Sequence, residues 1–194
     1  SDPKAVAQAR YLLSFIMMRQ GNPLDSIVLA TYCFTHDQKA DPETALNATE
    51  VAMVAAVSAW NAAPAETRDF ETRLLRDVCQ QILTLYPQSS RAGEARMRLG
   101  AAYRTLSQPL EAVKWYLEVP ETDPQYGSAR ISAGQCYWGA WTQKAAIASI
   151  EGDTSLVSSP DMQKWKAEAK TLLNQGIDIL RKKLGENAAP SEEL

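Results

Sequence analysis

Apolar residues return every three or four positions along most of the chain, the spacing that keeps one face of a helix turned to a core. Leu12, Leu13, Ile16 and Met17 follow it, as do Leu74, Leu75, Val78, Ile82 and Leu85. The alanine-rich stretch 52–63 favours helix on propensity as well. No alternating run is long enough for a sheet, so the pattern predicts an all-α fold.

Ten prolines punctuate that pattern, and the first six stand at 3, 23, 42, 64, 87 and 109. Each step is one helix plus one turn. Asp2-Pro3, Asn22-Pro23, Asp41-Pro42 and Ser159-Pro160 couple a good N-cap residue to proline at the first helical position, where its missing N–H costs nothing. The boundaries predict eight helices, over 3–20, 23–36, 42–61, 64–86, 89–106, 109–119, 125–149 and 160–184. The seventh is read as one long helix. Its span 128–150 holds no proline, and a helical glycine such as Gly134 or Gly139 costs only about 1 kcal/mol against alanine. The polar, small-residue segment 151–159 is predicted to be a loop, with Gly185 capping the last helix before a disordered tail over 186–194.

Shifting the chain against itself reveals a period. Leu99-Gly100-Ala101-Ala102-Tyr103 returns as Ala133-Gly134-Gln135-Cys136-Tyr137, 34 residues on, a step typical of stacked helix pairs. Ala112, Tyr116 and Pro124 follow Gly100 at 12, 16 and 24 residues. With these positions the segment 93–126 resembles the tetratricopeptide (TPR) repeat. Small residues at Gly100 and Ala112 would let two antiparallel helices approach closely, with Leu99, Tyr103 and Tyr116 filling the space around them. Residues 127–150 keep Gly134, Tyr137 and Ala146 but lack a turn between two helices. Asn22-Pro23-Leu24-Asp25-Ser26-Ile27 echoes Gln108-Pro109-Leu110-Glu111-Ala112-Val113, which marks the first pair as a divergent copy. The phrase Tyr86-Pro87-Gln88-Ser89, running on to Ala92, is similar to a linker of bacterial cell-envelope TPR proteins. The resemblance implies a right-handed alpha-alpha superhelix, a TPR-like solenoid over 1–185 with helix pairs at 3–36, 42–86, 89–119 and 125–184. Its bacterial flavour tilts location towards periplasm or envelope.

Composition narrows the function. A chain that is 45% hydrophobic and 22% charged, with a formal charge of −3, is long enough for a sizeable core. It lacks the basic field that nucleic-acid or anionic-membrane binding requires. Arg91, Arg96, Arg98 and Arg104 cluster, but Glu94 and Glu111 dilute them, and Arg181-Lys182-Lys183 suits a helix C-terminus. No apolar run reaches the length of a membrane span. The chain opens Ser1-Asp2-Pro3 without methionine, as a trimmed or processed product would, so a missing signal peptide is uninformative. Cys33, Cys79 and Cys136 lie too far apart for a metal motif, and their apolar neighbours mark them as small buried hydrophobes. The single histidine, His36, sits at a helix end, where the dipole favours it without catalysis. Glu43, Glu50, Glu66, Asp69, Glu71 and Asp77 suit solvated helix faces, and no nucleophile elbow, phosphate loop, dinucleotide fingerprint or zinc-protease motif occurs. No cofactor, metal or catalytic residue is therefore expected.

The resemblance maps groove-facing positions onto Met97, Ala101 and Arg104, and in the next repeat onto Ile131, Gln135 and Trp138. Trp138 and Arg104 are residue types that dominate interface energetics. The lysine and asparagine of the carboxylate-clamping members are replaced here by Met97 and Ala101, which argues against that function. The expected protein is a non-catalytic scaffold holding a peptide or protein in its groove. The alternative is a spacer or self-association module of a larger bacterial envelope protein.

Overall fold

A computed structural model describes residues 2–152 and 154–187, and all regular structure among them is helical. The chain forms two compact units, Ser1–Ala102 and Tyr103–Leu194.

The first unit contains α1 (Pro3–Arg19), α2 (Pro23–His36), α3 (Pro42–Ala62), α4 (Asp69–Leu85) and most of α5 (Ala92–Thr105). Proline opens the first three of these helices, as expected. The Asp2 carboxylate accepts from the Lys4 amide at 3.0 Å, and Asp41 accepts from the Thr44 amide at 3.3 Å and the Thr44 hydroxyl at 2.9 Å. α3 is central, packed by α1, α2 and α4. Ala45, Ala48, Ala52, Ala55 and Ala56 are all fully buried on it, so its neighbours approach closely, with Phe34, Met53, Leu75 and Ile82 filling the remaining space.

Two kinds of expectation fail in this unit, where two helices start and which face α1 buries. Pro64 does not start a helix. The chain turns over 64–68 instead, where Arg68 donates to the Ala63 carbonyl at 2.9 Å and lies 4.8 Å from the Trp60 ring. The Trp60 indole donates to Thr72 at 3.0 Å, so this corner is held by side chains before α4 begins. α5 likewise begins at Ala92 rather than 89, after backbone turns closed by Ser89 and Ala92 amides.

The second failure concerns the face of α1. Leu12, Leu13 and Ile16 point outward, with Leu12 56% exposed, and Met17 is half-buried. The residues α1 buries are Ala7 and Ser14. Ser26 of α2 donates to the Ser14 carbonyl at 2.8 Å, and the Cys33 thiol lies 3.7 Å from the Ala7 carbonyl. These contacts bring the two backbones together, which large side chains on that face would prevent.

The second unit contains α6 (Pro109–Leu117), α7 (Tyr126–Glu151), the short α8 (Thr154–Val157) and α9 (Pro160–Asn187). α7 is one unbroken helix, ended by Gly152 in the left-handed conformation. The segment 151–159, expected to be a loop, holds the extra turn of α8, and Gly185 does not cap α9, which continues to Asn187. The predicted disordered tail lies otherwise at 188–194, outside the described residues.

α7 packs on α6 with one face and on α9 with another. Arg130 donates to the carbonyls of Leu117 and Val119, at 2.9 and 3.1 Å, supplying partners that the end of α6 leaves open. The α7–α9 contact is antiparallel and built on glycine. A Cβ at Gly134 would stand 3.0 Å from the Ala169 carbonyl oxygen, and one at Gly127 would meet Ile179 and Leu180.

Candidate functional site

The residues of the TPR resemblance are placed as packing residues where the repeat is clearest. Gly100 is buried, as are Ala112 and Tyr116. In the following period Gly134 is buried but Ala146 is exposed within unbroken α7. The small residue facing Gly134 is Ala169, supplied by α9 after the short α8.

The six residues expected to face a groove separate by environment. Met97 and Ala101 are half-buried on the part of α5 that belongs to the first unit. Arg104 is exposed in the second unit, and its charge acts on Tyr116 and Cys136. Burial pushes the Tyr116 hydroxyl up to about 12 and raises the Cys136 thiol, while the Arg104 guanidinium opposes both shifts. Ile131 is turned to α9, where its Cγ1 lies over Gly176. Gln135 is exposed, and Trp138 is 44% exposed.

Two hollows flank α7. The larger, about 650 Å³, is lined by Pro109, Leu110, Ala140, Ile147, Leu156 and Trp165 with a few polar neighbours. Arg130 ties the C-terminal end of α6 near the start of α7, and Pro109 shares this hollow with Ala140. The last turns of α7 therefore run past the start of α6, and Ile150 there is 86% exposed. Lys144 holds its ammonium 5.4 Å from the Trp165 ring. The smaller hollow, about 350 Å³, is lined by Trp138, Lys166, Lys170, Leu173 and Asn174. Trp138 stacks on Trp141 at 5.0 Å, Lys166 lies 5.3 Å from the Trp141 ring, and the Trp141 indole N–H finds no acceptor among the described residues.

Sequence reasoning singled out Trp138, which lines the smaller hollow, and named no residue of the larger one as a groove residue. The available signal was the missing turn after Gly139, which lengthens α7 beyond the repeat it resembles.

Several of the groups that could bear chemistry have partners, whereas the buried Oε2 of Glu71 has no hydrogen-bond partner among the described residues. His36 stacks on Tyr32 at 4.2 Å and contacts the Thr35 hydroxyl at 2.7 Å. Glu50 pairs with Arg91, Asp69 with Arg73 and Asp77 with Arg76. Among the described residues no cluster of His, Cys, Asp and Glu could hold a metal ion, and no helix is long and apolar enough to cross a membrane. Burial pushes the Cys33 thiol up to about 11 and that of Cys79 to about 12.

These packed antiparallel pairs define an all-α protein of helix hairpins. The chain is similar to TPR-like repeats in two crystal structures of Podosopora anserina kinesin light chain, at 15% and 14% identity. The matches cover 95% and 94% of this chain and 99% and 98% of those, with TM-scores of 0.39 and 0.38. Those scores are below the range in which two folds coincide, and the hairpin description rests on the packing above. No family model and no curated protein matches the chain.

Proposed function

We propose that this protein is a non-catalytic scaffold that binds a peptide or protein partner, using the second unit's α7 as its main contact element. The observation that carries this reading is the apolar hollow of about 650 Å³ beside the overhanging end of α7. Ile147 lines it and Ile150 stands nearby on the same overhang, both exposed. Exposed apolar side chains gathered at one place are costly to leave in water and mark interaction sites. Arg104, Gln135 and Trp138, the groove residues on the exposed surface of this unit, offer further contacts.

Affinity capture with the intact chain tests the proposal when paired with Ile147→Asp and with the Arg104→Ala, Trp138→Ala double variant. A discrete partner retained by the wild type and lost from a folded variant supports it. Retention by both variants overturns it. The spacer alternative draws on the same exposed residues and predicts a concentration-dependent dimer in equilibrium sedimentation, with no captured partner.

A further inference from the structure

The smaller hollow combines three features that point to one ligand chemistry. Its wall is Trp138, whose ring is backed by Trp141 at 5.0 Å and so is held ready for contact. Its floor includes Leu173, which packs over Gly134 in the α7–α9 contact. Its rim is Lys166, Lys170 and Asn174, spaced one turn apart on the exposed side of α9. No carboxylate lines the hollow, and neither lysine forms an ion pair among the described residues. Two uncompensated positive charges beside an exposed indole stand out on a chain whose formal charge is −3.

We infer that this hollow binds a short acidic protein segment carrying one bulky apolar side chain. The inference rests on the scaffold reading above and adds the chemical class of the partner. The apolar side chain lies against Trp138 and Leu173, and flanking Asp or Glu residues meet Lys166 and Lys170. Asn174 offers an amide to the segment's backbone. The volume, about 350 Å³, is near the lower end of the about 300–1,000 Å³ of ligand pockets, enough for one large side chain rather than a cofactor. Charge complementarity selects the acidic partner and speeds its encounter. A nucleic acid would offer phosphate and a stacking base to the same residues. Two lysines on an acidic chain, however, give no continuous positive track for a backbone.

Fluorescence anisotropy on the full chain tests this with a labelled twelve-residue peptide of Asp and Glu around one central Leu. A matched peptide carries lysines in place of the acids. The acidic peptide should bind and the basic one should not. Trp138→Ala should weaken binding on the order of 30-fold, the loss typical of an interface anchor. Lys170→Glu and Lys166→Glu should each weaken it about tenfold and in combination reverse the sign of its salt dependence, since salt then screens a repulsion. Thermal melts confirm that the variants fold. Equal binding of both peptides, no binding of either, or binding unchanged by charge reversal overturns the inference. So does tighter binding of an oligothymidine, or of phosphatidylserine vesicles, through the same lysines. If the peptides fail while Ile147→Asp still abolishes partner capture, the scaffold reading stands and only the assigned chemistry falls.

Discussion

Gly176 of α9 lies so close to Gly127 of α7 that a Cβ on Gly176 would stand 2.7 Å from the Gly127 carbonyl oxygen. The same Cβ would meet Ile131 Cγ1 at 2.6 Å, so neither helix can yield without moving its backbone or a packed side chain. Gly139, exposed on α7, has nothing within 4 Å of its would-be Cβ. Gly176→Ala should therefore destabilise the second unit by about 1–3 kcal/mol through overpacking. Gly139→Ala should stabilise it by about 0.5–1 kcal/mol through helix propensity alone. Urea melts followed by circular dichroism check the order. A Gly176→Ala chain as stable as wild type would mean that the two helices are not in backbone contact.

Arg130 is mostly buried, lies 4.4 Å from the Tyr126 ring, and caps the Leu117 and Val119 carbonyls. Replacing it with methionine keeps the bulk but leaves both carbonyls without this donor. A loss of about 1–3 kcal/mol is expected, read by denaturant unfolding, and lysine should restore part of it.

Burial raises the thiols of Cys33 and Cys79 from an ordinary value of 9.0 to about 11 and about 12. At pH 8 these sulfurs are almost wholly protonated and shielded, so a chromogenic disulfide reagent should label the native chain slowly. Denaturant should release all three cysteines at once. Above pH 9 the unfolded chain loses protons that the folded chain retains. The thiol contribution is therefore complete below pH 9 and is lost as pH rises towards 11 and 12. Thermal midpoints should fall across that window, and less steeply in Cys79→Ala after allowance for its cavity.

At the start of α3, hydrogen bonds from the Thr44 side chain, then its amide and Gln8, hold the Asp41 carboxyl below its ordinary value of 3.8 despite desolvation. A lowered carboxyl contributes stability above that value and loses it as pH falls through the folded one. Asp41→Ala should melt below wild type at neutral pH, and the gap should close as pH drops below 3.8. A gap independent of pH would remove the charged cap from the account.

Much of the local structure was legible in the sequence for chemical reasons. Asn22-Pro23 placed the start of α2, and Gly21 with a left-handed backbone supplied the turn before it. Ser107, left-handed without being glycine, gave no comparable signal before α6. Of the candidate site, Trp138 was visible because the 34-residue period carries the position of Arg104 onto it, and tryptophan is a residue type common at interfaces. The lysines that frame it were not visible, because they come from α9 nearly thirty residues later and nothing local ties them to α7. The larger hollow exists only because α7 outruns α6.

The sequence by itself determined that the chain is helical, where most helices begin, and that α7 is long, since capping, proline geometry and propensity act within a few residues. Only tertiary structure decided which faces are buried and which residues meet. α1 buries Ala7 and Ser14 rather than Leu12 and Ile16, and Gly134 finds Ala169 rather than Ala146. The physical reason is shared: closely packed helices are set by where their smallest residues let backbones touch, and hydrophobic spacing along one helix does not record the partner's surface.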